Sequence, residues 1–297
     1  MQAKPKLIAV VGPTCSGKSA LGVFLAQKLK GEVISADSRQ VYKGLNIGTG
    51  KVTKKEMSGV PHHLLNVASP KRQFNVADFV RLATPKFRKM SSCGKVPVVV
   101  GGTGLYVDAL LGRISFPHVA PNKLLRAQLE RFTVKQLYSQ LKKIDPRRAK
   151  TIEPQHKRRL IRAIEIAKAL GSSPTSSTPE VKQKYNVLWL GLNPKDLSKR
   201  ITARLRARMR VGLVQEARKL HRGGLSYRRM ETLGLEYRYV ARHLQCTLTK
   251  QEMSVQLERE IQKYSKRQMR WFKRNKNIHW VTNKTEALRL AKGFLSR

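Results

Sequence analysis

The chain alternates short, β-branched apolar runs with longer amphipathic stretches. Four runs read as buried strands: "LIAVVG" (residues 7–12), "EVISAD" (32–37), "VPVVVGG" (96–102) and "NVLWLGL" (186–192). Helical patterns separate the first three. Near-continuous apolar strands alternating with helices predict an α/β fold with a parallel sheet covered on both faces. In such sheets ligands sit outside the carboxyl ends of the strands. Between Phe116 and Lys184 the pattern changes. The stretches "FPHVAPNKLLRAQLERF", "TVKQLYSQLKKIDP" and "HKRRLIRAIEIAKALG" predict three helices, several bounded by Pro. A Ser/Thr/Pro linker, "GSSPTSSTPE" (171–180), follows. The expected organisation is a core of residues 1–116 and 185–297 with a helical insert over 117–184. Residues 195–275 read as a helical C-terminal part with a basic face. No internal repeat is visible.

Three of the strand ends carry residues fit for chemistry. The first continues into Gly12-Pro-Thr-Cys-Ser-Gly17-Lys18-Ser19, which fits G-x-x-x-x-G-K-[ST] at every fixed position. It follows a strand and precedes the helical pattern "ALGVFLAQKL", the context this phosphate-binding loop requires. Glycines let backbone N–H groups turn inward, the helix N-terminus adds positive potential, and Lys18 adds a point charge. The Ser19 hydroxyl is the candidate Mg²⁺ ligand. The core is therefore expected to be P-loop NTPase-like. Its "VPVVV" strand, however, ends in Gly101-Gly102-Thr103-Gly104, where ATP-hydrolysing relatives usually place an acid. The acid lies instead at Asp37, beside the loop if the first two strands are neighbours. Three roles are open to it: binding Mg²⁺, accepting a proton from a nucleophile, or capping the next helix. Thr14 and Thr103 bring hydroxyls to the same mouth, and each alone is also a common turn residue.

Charge changes the picture further. The 297 residues hold 61 Lys and Arg against 18 Asp and Glu, a formal charge of +43, with 40% hydrophobic residues. Self-repulsion of that size calls for a polyanion, and a nucleic acid is the leading candidate. Residues 121–297 carry +30 of it. Arg126 and the group Arg158, Arg159 and Arg162 lie in the insert, where Leu160, Ile161 and Ile164 form an apolar stripe that leaves the arginines facing outward. Near the C-terminus "KYSKRQMRWFKRNK" mixes Lys263, Lys266, Arg267, Arg270, Lys273 and Arg274 with Tyr264, Trp271 and Phe272. Its charges suit phosphate, and Trp271 and Phe272 suit packing. Three cysteines, Cys15, Cys93 and Cys246, lack zinc spacing and fit a reduced cytoplasmic setting. The pair His62–His63 reads as structural or substrate-lining. No stretch has the length of a membrane span or a signal peptide.

Taken in order, "GPTCSGKSAL", "ISADSRQVYKGLNIGTGK", "GVPHHLLNV", "FNVADF", "VVVGGTGLYVDALL", "DPRRA", "RRLIRAIEI" and "KRQMRWF" resemble the bacterial tRNA dimethylallyltransferase family over nearly the whole length. The run "SADSRQVYKGLNIGT" is the most specific. The resemblance implies transfer of a dimethylallyl group from its diphosphate to N6 of the adenine 3′ of a tRNA anticodon. It implies that Gly12, Pro13, Thr14, Cys15, Ser16, Gly17, Lys18 and Ser19 hold the diphosphate, with Ser19 toward Mg²⁺. Asp37 becomes the general base, and Thr14 holds the diphosphate or orients Asp37. Asp37, Ser38, Arg39 and Gln40 would meet the flipped-out base. Thr103, Arg126 and the stretch Arg158, Arg159, Leu160, Ile161 and Arg162 would contact the tRNA anticodon stem-loop, which makes the insert tRNA-binding. A monomer is expected. The chain departs from the family at "PQHKRRLIRAIE", at Arg208, where an apolar residue is usual, and at "SKRQMRW". These changes read as added charge around an RNA surface. The zinc-finger extension of eukaryotic relatives is absent, which fits a bacterial-type enzyme. Two other readings stand beside this one: a P-loop small-molecule kinase, and a non-catalytic RNA-binding module with a vestigial loop.

Overall fold

A computed structural model describes residues 4–117, 119–171 and 184–296 of the chain. In chain order the elements are β1 (Lys6–Val11), α1 (Lys18–Lys28), β2 (Gly31–Ser35), α2 (Lys54–Met57), β3 (His62–His63), α3 (Val76–Ser92), β4 (Val96–Gly101) and α4 (Gly104–Leu110). Then come α5 (Lys123–Leu129), α6 (Val134–Ile144), α7 (Pro146–Thr151) and α8 (Lys157–Leu170). The chain continues with β5 (Asn186–Gly191), α9 (Leu197–Val211), α10 (Leu213–Arg222), α11 (Tyr227–Met230), α12 (Leu235–Leu244), α13 (Lys250–Phe272), β6 (Ile278–Trp280) and α14 (Lys284–Ser296). It divides into two compact units: residues 1–111 with 183–297, and residues 112–182.

The first unit is built on a six-stranded sheet of order β3-β2-β4-β1-β5-β6, parallel throughout. The α/β reading holds, with two short edge strands that the hydrophobic pattern did not reveal: β3 has two residues and β6 three. Alternate residues of β1 feed opposite faces. Leu7, Ala9 and Val11 join Ile34, Val99, Phe79, Phe87 and Tyr106, whereas Ile8 and Val10 join Val33, Val98, Leu21, Leu25, Ala287 and Ala291. Burial on both faces is why these strands are apolar without alternation. Helices α9–α13 share a third core around Tyr237, Leu213, Met253 and Leu257. A capping box of Thr249 and Glu252 starts the 23-residue α13.

Among its described residues the second unit contains four helices, where the pattern had predicted three. The dipeptide Asp145-Pro146 makes the difference. Asp145 ends α6, its side chain accepts the Arg148 N–H at 2.9 Å, and Pro146 opens α7 at the position where a missing N–H costs nothing. Leu129, Leu137, Leu141, Leu160 and Ile164 form its core. Beyond Gly171, the expected Ser/Thr/Pro linker lies outside the described residues.

Candidate active site at the phosphate loop

The loop between β1 and α1 takes a shape that only some of its residues adopt easily. Gly12 and Gly17 stand at φ 140° and 94°, and Cys15 at 61°. A Cβ on Gly12 would lie 2.5 Å from the Leu192 carbonyl oxygen, which also forbids a larger residue there. Lys18 opens α1 and donates to the Pro13 carbonyl. Burial lowers the Lys18 ammonium to about 8, against the pull of Asp37 and Cys15, and Arg204 adds to the lowering. A desolvated cation in a glycine-rich loop calls for an anion. Ser16 Oγ is buried with no hydrogen-bond partner, and Ser19 is exposed on the first turn of α1.

Asp37 lines one cleft with Thr14, Cys15, Lys18 and Ser19. It arrives there by a different route from the one expected. β2 is not next to β1, because β4 lies between them. β4 ends in Gly101 and Gly102, so the gap across it carries no side chain and Asp37 still shares the cleft. Of the roles expected for Asp37, the capping one is visible in altered form. Its Oδ1 accepts the N–H groups of Arg39 at 2.8 Å and Gln40 at 3.3 Å, capping a turn rather than a helix. Oδ2 takes no part in that turn. The Thr103 hydroxyl accepts the Ser38 N–H at 3.0 Å and so ties the end of β4 to this turn. Thr14 donates its backbone N–H to Gln268, and its hydroxyl lies 3.8 Å from Cys15 Sγ.

Ser38, Arg39 and Gln40 also line the cleft, with their side chains partly committed. Arg39 donates to the Thr232 carbonyl at 3.0 Å, and Gln40 to the Gly50 carbonyl at 3.3 Å. The facing wall, Gly48–Gly50, is held by a residue that sequence reasoning missed. Glu216 of α10 accepts the N–H groups of Asn46, Ile47 and Gly48 at 2.8–3.0 Å and the Tyr237 hydroxyl at 2.6 Å. Lys51, buried and lowered by that burial to about 8, holds the other side of the loop through the Tyr42 carbonyl, Asn46 and Asn66. Nothing in local sequence marks Glu216, because its backbone partners lie about 170 residues away and Tyr237 21 residues away.

Arg208 is a correction. It was expected to add charge at an RNA surface. Instead its side chain is only 12% exposed, lines the cleft, pairs with Glu236 at 2.7 Å and donates to the Gly48 carbonyl at 3.2 Å. Arg204, Arg238, Arg267, Tyr264 and Gln268 line the same cleft. Burial pushes the Tyr264 hydroxyl up to about 12. His62 lines the cleft as well, and burial lowers its imidazole below the usual range. Its neighbour His63 sits 2.7 Å from Glu32. Trp271 and Phe272 pack, as expected.

In the second unit the expected contact residues separate into classes. Glu165 is 1% exposed. Arg126 grips it with two bonds of 2.7–2.8 Å, Arg162 adds another, and the Asn122 N–H a further one at 2.6 Å. Burial alone would raise this carboxyl. The two guanidiniums and the N–H outweigh it and hold Glu165 at about 2. Arg126 and Arg162 therefore serve the fold, and Arg162 also donates to the Val119 carbonyl at 2.9 Å. Leu160 and Ile161, read as part of the contact stretch, are core residues at 0% and 4% exposure. Their side chains are packed in the core of this unit. Arg158 and Arg159 remain exposed, the latter beside Glu153 at 3.0 Å.

Among the described residues no three His, Cys, Asp or Glu side chains gather to hold a metal unaided, and no helix is long and apolar enough to cross a membrane.

Residues 40–275 match the IPP transferase family, and residues 5–69 match isopentenyl transferase. The chain is 40% identical to tRNA dimethylallyltransferase 1 of Geotalea uraniireducens over 97% of this chain and 96% of that one. It is also 40% identical to the tRNA dimethylallyltransferase of Halalkalibacterium halodurans over 93% and 91%. Among solved structures, it is similar to the tRNA isopentenylpyrophosphate transferase of Bacillus halodurans, with a TM-score of 0.74 and 37% identity over 99% and 97%. A eukaryotic dimethylallyltransferase described as acting on tRNA superposes with a TM-score of 0.86 at 25% identity, over 98% of this chain and 80% of that one.

Proposed function

We propose, from the premise that this chain belongs to the IPP transferase family, that it transfers a dimethylallyl group from dimethylallyl diphosphate to N6 of the adenine 3′-adjacent to a tRNA anticodon. The observation that carries the reading is one cleft holding both a desolvated cationic phosphate loop and a carboxylate. The reaction breaks the allylic C–O bond, forms a C–N bond at N6 and releases diphosphate. Lys18 and the loop N–H groups bind the diphosphate and stabilise the charge that grows as it leaves. Asp37 accepts the N6 proton, with Oδ2 the oxygen outside the turn. An adenine in an anticodon loop must leave its stack to reach this cleft, which makes Ser38, Arg39, Gln40 and Thr103 the lining for a flipped base. Arg158 and Arg159 are the insert's candidates for phosphate contact.

Mg²⁺ suits this donor set. Ser19 offers a hydroxyl oxygen to a cation that keeps several waters and arrives with its phosphates. Such an ion would neutralise charge on the leaving group. The reading takes the enzyme as a monomer. It places the enzyme in the cytoplasm, in keeping with three free cysteines among the described residues.

Incubation with dimethylallyl diphosphate, Mg²⁺ and total tRNA, followed by nucleoside mass spectrometry, tests the proposal. The expected product is N6-isopentenyladenosine. ATP turnover without prenyl transfer would favour the kinase reading.

A further inference from the structure

We infer that Gln268, on α13, is a positioning residue that sets the conformation of the diphosphate loop. The inference rests on the prenyl-transfer reading and deepens it. Gln268 is buried. Its Oε1 accepts the Thr14 N–H at 2.8 Å, and its Nε2 donates to the Gly102 carbonyl at 2.8 Å. One amide thus ties the loop after β1 to the end of β4, the neighbouring strand. The two bonds need one acceptor and one donor. A carboxylate lacks the donor, and a thioether of similar length supplies neither.

The backbone is shaped to admit this helix. A Cβ on Gly102 would run into the Gln268 amide. A Cβ on Gly104 would run into the Trp271 ring, three residues further along α13, whose Nε1 donates to Asp108 at 2.8 Å. Residues three apart share a helix face, so Gln268 and Trp271 enter the glycine run together. The acid-free end of β4 thereby gains a physical reason.

The same peptide unit is held at both ends. The Pro13 carbonyl accepts the Lys18 ammonium, and the Thr14 N–H of that peptide goes to Gln268. The next residue, Cys15, stands at φ 61°, a conformation that persists in a non-glycine residue only where its surroundings hold it. Without Gln268 the Pro13–Thr14 peptide is free to rotate, and the acceptor that aims the Lys18 ammonium moves with it. The consequence falls on diphosphate binding and not on the RNA surface.

The test uses the full chain as wild type, Gln268→Glu, Gln268→Met, Gly102→Ala and the Gln268→Met/Gly102→Ala double variant. Each is checked by thermal melt. Kinetics at saturating tRNA with varied dimethylallyl diphosphate are paired with tRNA binding in its absence. Losing a buried bond and orphaning its partner predicts a KM for the diphosphate raised about tenfold or more in each single variant, with tRNA affinity unchanged. The effects in the double variant should not multiply, because both act on one contact. Should Gln268→Met fail to fold, Gln268→Glu and Gly102→Ala carry the same expectation. Unchanged KM in the folded variants overturns the inference, including the case where only the melting temperature drops. Loss confined to tRNA affinity also overturns it and makes Gln268 an RNA contact. If the wild type transfers no prenyl group, the reaction reading fails instead. Calorimetry with inorganic diphosphate then decides whether Gln268 still governs the loop.

Discussion

At the scale of single residues, the proposed reaction divides its chemistry between Asp37 and Lys18. Asp37 spends one oxygen on its own turn, where the N–H groups of Arg39 and Gln40 fix the carboxylate. Asp37→Asn keeps an oxygen for the turn and loses the base. Turnover should fall roughly 10²–10⁴-fold while tRNA affinity holds, as read by single-turnover kinetics beside filter binding. Lys18 predicts a pH dependence. Its ammonium sits at about 8 in the free protein and near 10.5 when unfolded. Diphosphate affinity should therefore weaken as pH rises through about 8, and Lys18→Ala should bind weakly at every pH. The sign for stability is the reverse of that for binding. The folded state disfavours the charged lysine, so Lys18 opposes folding progressively as pH falls from about 10.5 to about 8, and the loss levels off below. Lys18→Met should melt higher than wild type at pH 7 while losing the ligand, a stability gained at the expense of function.

Helices are joined by charge as well as by apolar contact at the scale of elements. In the second unit Glu165 of α8 gathers Arg126 of α5, Arg162 of its own helix and the Asn122 N–H at the start of α5. Removing the carboxylate leaves two guanidiniums without it. Glu165→Ala should cost about 3 kcal/mol, toward the low end for a buried pair because both arginines stay about a third exposed. The measurement is hydrogen exchange across residues 119–170, which should lose protection there first. The carboxyl is lowered in the fold from an ordinary 4.5 to about 2. Its stabilisation is thus full above pH 4.5 and fades as pH falls toward about 2. Glu165→Gln should lack that pH dependence. In the first unit Glu216 plays the matching part for the Gly48 wall, joining α10 to a loop on the far side of the sequence.

The whole molecule presents a charge of +43, which no internal pairing approaches: 18 acids face 61 bases. Affinity for tRNA should fall steeply with salt, because each neutralised phosphate releases counterions. The structure sharpens which arginines carry the slope. Arg158→Ala should flatten it by about one unit if that side chain meets one phosphate, with the melting temperature unchanged. Arg162→Ala should lower the melting temperature, since it loosens the Glu165 cluster. Equilibrium binding from low to high salt, run beside thermal melts, separates the two. An unchanged slope for Arg158→Ala would mean that this arginine only solvates its helix.

The sequence by itself determined the parallel core, the phosphate loop and Asp37, because each is written locally: apolar runs of strand length, a glycine spacing, an acid at a strand end. It also separated the helical insert by its change of period. Tertiary structure alone decided what depends on partners distant along the chain. Strand order put β4 between β1 and β2, so Asp37 meets the loop across a glycine gap and not beside it. The two-residue β3 and three-residue β6 are too short to print a pattern and exist because an edge is there to receive them. Arg126 and Arg208 look like surface charge in sequence and turn out to be paired, because a Glu on another helix cannot be assigned to them until the helices are packed, whereas Arg162 stands three residues from Glu165 on one helix and only the burial of that pair needed the fold. Gln268 shows the same limit. In "KRQMRWF" it is a polar residue in a basic run, and only the fold reveals the amide set between two strand ends.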